Sequence, residues 1–149
     1  MERVYKRPES VLVLIYAQNQ VLLLQRRDDP LFWQSVTGSM LPAETEPRVS
    51  AIRELLEETG LTMAQGQMHD CEYSAWFDIY PHWLFRYAPG TTRNLEHIFC
   101  FEMATPAAIT LSDEHLDYCW ITKDKAVQKV ISDTNRDAIL RFVPSSPLP

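Results

Sequence analysis

Arg53-Glu54-Leu55-Leu56-Glu57-Glu58-Thr59-Gly60-Leu61 is the stretch on which the reading of this chain turns. Glu54, Glu57 and Glu58 stand three and four residues apart, and on an α-helix those offsets bring all three carboxylates onto one face, within about 100° of one another. Like charges so placed repel, and they weaken a helix that has nothing to bind. A divalent cation turns the repulsion into attraction. Hard cations such as Mg2+ prefer carboxylate oxygens and are commonly shared with substrate phosphates. A solvated acidic face is the competing explanation, and the three acids alone do not decide between the two.

The flanks decide it. Ile52, Leu55 and Thr59 fall on the opposite side of the same helix and can face a core. Gly60 is placed to end the helix, because glycine enters the left-handed conformation without a Cβ penalty, and Leu61 then returns to the core. At the other end Thr45 or Glu46 can cap and Pro47 suits the first turn, so the helix is predicted over Pro47–Thr59. Upstream, Gly38 and Glu44 bracket the short loop Ser39-Met40-Leu41-Pro42-Ala43.

These residues resemble the signature of the Nudix hydrolases, G-x5-E-x7-R-E-U-x-E-E-x-G-U with U a bulky aliphatic residue. Gly38, Glu44, Arg53, Glu54, Leu55, Glu57, Glu58, Gly60 and Leu61 supply its fixed positions. One departure stands out: residues 45–52 put one more residue between Glu44 and Arg53 than the pattern has. Inside a helix an extra residue would rotate everything after it by about 100°; in a loop it costs little closure entropy. It is therefore expected around Thr45-Glu46-Pro47, before the helix begins. The resemblance extends to Val4-Tyr5-Lys6-Arg7-Pro8, Gln25-Arg26-Arg27-Asp28-Asp29-Pro30, Phe32–Gly38, Arg86-Tyr87-Ala88-Pro89-Gly90, Glu114-His115-Leu116 and Asn135-Arg136. This series is similar to the bacterial dihydroneopterin triphosphate pyrophosphatase branch over roughly residues 4–143.

Composition agrees. A chain of 149 residues with 46% hydrophobic residues is long enough for one domain with a sizeable core, expected over residues 1–143, with the Pro/Ser stretch 144–149 as a tail. No apolar run is long enough to span a bilayer, and Met1-Glu2-Arg3 leads straight into domain sequence without a secretory pattern. The net charge of −6 argues against binding to nucleic-acid polymers, though not against a small phosphorylated substrate, since a bound cation reverses the local charge. Cys71, Cys100 and Cys119 form no Cys-x-x-Cys pair and read as reduced thiols of a cytoplasmic protein.

The element pattern alternates. Val11–Ala17 and Val21–Arg27 suit a hairpin around Gln18-Asn19-Gln20, and Gln34–Thr37, Cys71–Tyr80, His97–Met103 and Tyr118–Ile121 suit further strands. Trp83–Asn94 reads as a connection, and Lys123–Ile131 and Asn135–Phe142 as amphipathic helices. The order suits the α/β/α sandwich around a mixed sheet that the resemblance implies.

The resemblance also implies a site. Glu54, Glu57, Glu58 and, from outside the helix, Glu114 would hold Mg2+, or Mn2+ in its place. Arg53 would orient the acids, and Glu54 or Glu114 would take the proton of an attacking water; His115 reads as structural. Lys6, Arg26, Thr37, Phe77, Asp78, Ile79, Tyr80 and Ser132 match substrate-lining positions. Arg26 suits phosphate bidentately, and Phe77 through Tyr80 offer aromatic and acidic groups to a flat pterin. Asn135 and Arg136 stand at the same edge, where Asn135 either meets substrate or caps the last helix. The implied reaction is Mg2+-dependent hydrolysis of dihydroneopterin triphosphate to the monophosphate and pyrophosphate, a step in folate synthesis. The alternatives are a nucleotide pyrophosphatase acting on dATP or oxidised purine nucleotides, and a binding module of this fold without chemistry. The sequence leaves oligomeric state open.

Overall fold

A computed structural model describes residues 4–145, so the end of the expected tail, 146–149, lies outside the described residues. Strands β1 (Glu9–Ala17) and β2 (Gln20–Arg26) form the expected hairpin, with Gln18 at φ 54 in its turn. They pair only beside that turn, at Tyr16–Val21 and Ala17–Gln20, and then part. Beyond the split β1 pairs with β4 (Val36–Ser39), while β2 pairs with β3 (Trp33–Gln34) and β7 (His115–Thr122). On its other edge β1 runs parallel to β6 (Arg93–Met103), which is antiparallel to β5 (Gln67–Asp78). The sheet is therefore mixed.

The single strand expected over Gln34–Thr37 is two strands, because the chain changes partner at Ser35. The backbone N–H of Ser35 leaves the ladder and donates to Asn135 Oδ1 at 2.9 Å, and Asn135 Nδ2 donates to Ser35 Oγ at 3.0 Å. Asn135 is thus a buried brace between the sheet and the last helix, not that helix's cap. The cap is Ser132, whose hydroxyl accepts from the Asn135 N–H.

Alternation along the central strands gives each face its own core. Val11, Val13, Ile15, Leu22, Leu24, Phe99 and Phe101 pack with Ala51, Leu55 and Leu61 around helix α1 (Pro47–Thr59). Leu12, Leu14, Val21, Leu23 and Ile98 pack with α2 (Lys123–Lys129) and α3 (Asp133–Phe142) through Ala126, Val130, Ala138 and Ile139. Helices on both faces of one mixed sheet make the expected α/β/α sandwich. Helix α1 has the predicted bounds: Pro47 lies in its first turn, and Gly60 closes it at φ 75, its N–H donating to Leu56 O. Glu46 occupies the N-cap position without a side-chain cap bond. Arg136 donates to Val127 O and Val130 O and so ties α3 to the end of α2.

Replacing Asn135 with Ala strips the buried Ser35 N–H of its acceptor. An unsatisfied buried donor costs about 1–3 kcal/mol, or about 2–4 °C of Tm per kcal/mol at this chain size. Thermal unfolding of Asn135→Ala is expected several degrees below wild type; an unchanged Tm would remove Asn135 from this bracing role.

Candidate active site

Helix α1 buries two kinds of side chain. Leu55, Ala51 and Thr59 meet the core, while Glu54, 8% exposed, and Glu58, 1% exposed, are buried on another side. Gly38 on β4 makes this approach possible: a Cβ there would lie 2.1 Å from Glu54 Cδ. Arg53 binds the acids together. Its Nη1 donates to Glu54 Oε1 at 2.8 Å and Glu57 Oε2 at 3.1 Å, and its Nε and Nη2 meet the two oxygens of Glu44, each at 2.9 Å. Glu44 also accepts from Leu41 N and Ser50 Oγ. These donors hold its carboxyl down at about 2, with Arg53 the leading cause. The residues between Glu44 and Arg53 are taken up by Thr45 and Glu46 outside the helix and an unbroken run from Pro47.

Glu58 faces another acid. Both its carboxylate oxygens are buried, and among the described residues they meet no N–H or alcohol donor at hydrogen-bond geometry, only the Glu54 carboxyl, with which a hydrogen bond requires a shared proton. His115 Nε2 lies 3.4 Å from Oε1, but burial lowers the His115 pKa and disfavours the imidazolium. Burial, then Glu54 and Glu114, push the Glu58 carboxyl well up; burial also raises Glu54, against the pull of its hydrogen bond with Glu58 and then of Arg53. A buried carboxylate without a donor is stabilised by a proton or a cation, so the residues present fit a hard divalent ion. Among the described residues no three acids or histidines close into a preformed ligand set; Arg53 draws Glu54 and Glu57 toward itself instead.

These acids form one wall of a cavity of about 650 Å3, within the range of small-molecule sites. It lies where β1 and β2 part, and it also takes in Glu114. Lys6, Arg26 and Arg86 supply positive charge to its lining. The fork of Arg26 is already occupied: Nε and Nη2 donate to Asp28 at 2.7 and 2.8 Å, and the guanidinium lies 4.1 Å from the centroid of the Trp83 ring. Arg86 donates to the same Asp28. Desolvation, then Arg86, lowers the Lys6 pKa, as expected of an ammonium crowded by like charge. Thr37, Phe77, Ile79, Tyr80 and Ser132 line the remainder.

Asp78 does not. It is exposed and absent from the cavity wall, while Phe77 and Ile79 face in. Successive residues of a strand point to opposite sides, so Phe77 and Asp78 cannot both face the cavity while the strand continues. Arg136 is likewise outside the wall, since α2 carbonyls hold its guanidinium.

Other residues of the site escaped the sequence reading. Trp83 and Arg86 belong to a 3-10 turn, Pro81–Arg86, whose aromatic rings cluster with Phe32 and Tyr80. Asn94 and Glu96, on one side of β6, are 0% and 4% exposed and reach the same cavity. A signal for them existed: both fall in phase with the buried Ile98 and Cys100 of the same strand. A wall of acids facing basic and aromatic groups can hold a polyphosphate and a flat ring together.

Comparison with known proteins agrees with this arrangement. The NUDIX domain family matches residues 6–142. The chain is 46% identical over 143 residues to dihydroneopterin triphosphate diphosphatase of Haemophilus influenzae, covering 93% of this chain and 89% of that protein. It is 47% identical over 146 residues to the Escherichia coli K12 protein of that name, covering 95% and 96%. The solved E. coli dihydroneopterin triphosphate pyrophosphohydrolase superposes with a TM-score of 0.89 at 46% identity, covering 95% of this chain and 98% of that one. A Caenorhabditis elegans Ap4A hydrolase, at 22% identity and a TM-score of 0.73, shares the fold. Matched along nearly its whole length, with the signature residues gathered on one cavity, the chain belongs to the Nudix family.

Proposed function

We propose that the protein hydrolyses dihydroneopterin triphosphate to dihydroneopterin monophosphate and pyrophosphate, with Mg2+ as the metal. The observation that carries this reading is the pair of buried acids, Glu54 and Glu58, on the helix wall of a cavity whose other walls are cationic and aromatic. The two relatives of 46% and 47% identity, both named for this reaction, support the choice of substrate.

Glu54, Glu57 and Glu58, with Glu114 from the loop before β7, would hold the metal. When bound, such an ion neutralises phosphate oxygens and lowers the pKa of the attacking water. The chain's own residues do the rest. Arg53 fixes the orientation of Glu54 and Glu57, and Glu44 fixes Arg53. Lys6, Arg26 and Arg86 face the anionic chain; Lys6 acts as a point charge, since Arg26 is committed to Asp28. Water adds to a phosphorus flanking the α–β bridging oxygen, and that oxygen leaves with the other half. The proton lost by the attacking water goes to Glu54, whose affinity for protons burial raises, or to Glu114 at the exposed rim. Phe77, Ile79 and Tyr80 offer the ring an apolar and aromatic wall. The direct test is pyrophosphate release from dihydroneopterin triphosphate, with Mg2+ and with a chelator, beside a panel of nucleoside triphosphates; no release from the pterin substrate would end this reading.

Glu58→Gln removes a charged ligand at nearly constant volume. Turnover is expected to fall at least ~100-fold, the range for one lost transition-state electrostatic contact, while circular dichroism stays unchanged. Near-wild-type turnover at saturating Mg2+ would remove Glu58 from the metal site.

Gly38→Ala is expected to lower Tm by a few degrees, because the end of Glu54 that a Cβ would displace is buried and held by Arg53 and overpacking costs about 1–3 kcal/mol. Turnover should also drop, by ~10- to 100-fold, since displacement of a reacting group by about 1 Å is costly. Equal activity in the two proteins would show that the position of Glu54 is immaterial.

Asp78→Ala, by contrast, should change kcat/KM for dihydroneopterin triphosphate by no more than about twofold, as for an ordinary surface substitution. A tenfold loss would put Asp78 back in the pocket.

A further inference from the structure

The end of the cavity under the start of α3 is walled by hydrogen-bond acceptors. Glu96 is 4% exposed, and among the described residues its two oxygens accept only from hydroxyls: Thr134 Oγ1 at 3.3 Å and Thr37 Oγ1 at 3.5 Å. Both contacts are long for O–H···O bonds, and Thr134 Oγ1 also lies 3.0 Å from Ser132 Oγ. Burial pushes the Glu96 carboxyl up to about 7 against these weak donors. Two residues earlier on the same side of β6, Asn94 is 0% exposed; its Nδ2 donates to Ser10 Oγ at 2.7 Å, and its Oδ1 has no hydrogen-bond partner among the described residues. A buried acid and a buried amide oxygen therefore line the same cavity with acceptor capacity unspent.

Resting on the function proposed above, we infer that Glu96, assisted by Asn94, is the specificity-determining residue for the ring: its carboxylate accepts from the adjacent ring N–H and amino N–H of a 2-amino-4-oxo heterocycle. Two parallel donors on one edge match two carboxylate oxygens as an arginine fork does, and a charge-assisted pair is about twice as strong as a neutral one. Donation from the ring also favours the ionised acid. The second amino hydrogen is left for Asn94 Oδ1. Pterin and guanine both present this donor–donor edge. Adenine presents a donor beside an acceptor, and its ring nitrogen meets an ionised Glu96 lone pair to lone pair. A glutamine reverses the preference, because its amide offers one acceptor and one donor.

The test is Glu96→Gln, with kcat/KM measured for dihydroneopterin triphosphate, dGTP and dATP. The first two are expected to fall at least ~10-fold and dATP to hold or rise, so that the pterin-to-adenine ratio drops ~100-fold, the scale on which sites built for a hydrogen bond reject a mismatched partner. An equal fall for all three would overturn the inference and leave Glu96 as a support for Thr37 and Thr134. Wild type provides a second measurement that does not depend on the variant folding: dITP lacks the 2-amino group and should be used ~10-fold less well than dGTP, whereas equal use would also overturn the assignment. If wild type fails on the pterin substrate yet hydrolyses dGTP, the proposed function falls, and the dGTP-to-dATP ratio still judges Glu96.

Discussion

The bidentate pair between Arg53 and Glu44 is the interaction on which the site depends. It ties the loop after β4 to the middle of α1, and the same guanidinium reaches Glu54 and Glu57. Arg53 thereby does two jobs. It offsets the repulsion among carboxylates crowded on one helix, and it sets the positions of two of them before any ligand arrives. A surface ion pair would be worth little. This one is partly buried and two-pronged, and Glu44 is further fixed by Leu41 N and Ser50 Oγ, so little side-chain freedom remains to be lost.

Around that clamp the fold reconciles two demands on one helix. Helix α1 must bury Leu55 and Ala51 for stability while holding Glu58 nearly as deep for chemistry. Gly38 lets β4 come close enough for both, because it has no side chain to stand between the strand and Glu54. The cost is two buried acids, Glu54 and Glu58, facing one another. The cation proposed for this site would offset that cost.

The parting of β1 and β2 is the second structural device. Because β1 turns to β4 and β2 to β3 and β7, a single sheet has a cleft within it, open both toward α1 and toward the start of α3. The helix acids wall one part of the cavity, and Asn94, Glu96 and Ser132 another. Ser35, where the chain changes partners, is held by Asn135, so the cleft is braced by a side-chain hydrogen bond at the point where the ladder is interrupted.

The sequence alone determined α1 to the residue, since Pro47 and Gly60 act locally and the spacing of three glutamates is a helical property. It also pointed to the hairpin, through two apolar runs around a polar turn, and to the family, through the fixed positions from Gly38 to Leu61. What the tertiary structure decided were matters of facing and partnership. Asp78 was misplaced because an aromatic-acid segment gives no register, and only pairing with β6 fixes which residues look inward. Arg26 looked free for a phosphate until Asp28 and Trp83 claimed it. Glu96, Asn94 and Trp83 are remote in sequence from the signature and enter the site only because β6 lies beside β1 and the turn at Pro81–Arg86 folds over Phe32. A motif within one helix carries its own geometry, whereas a pocket wall assembled from separate strands has none until long-range pairing brings those strands together.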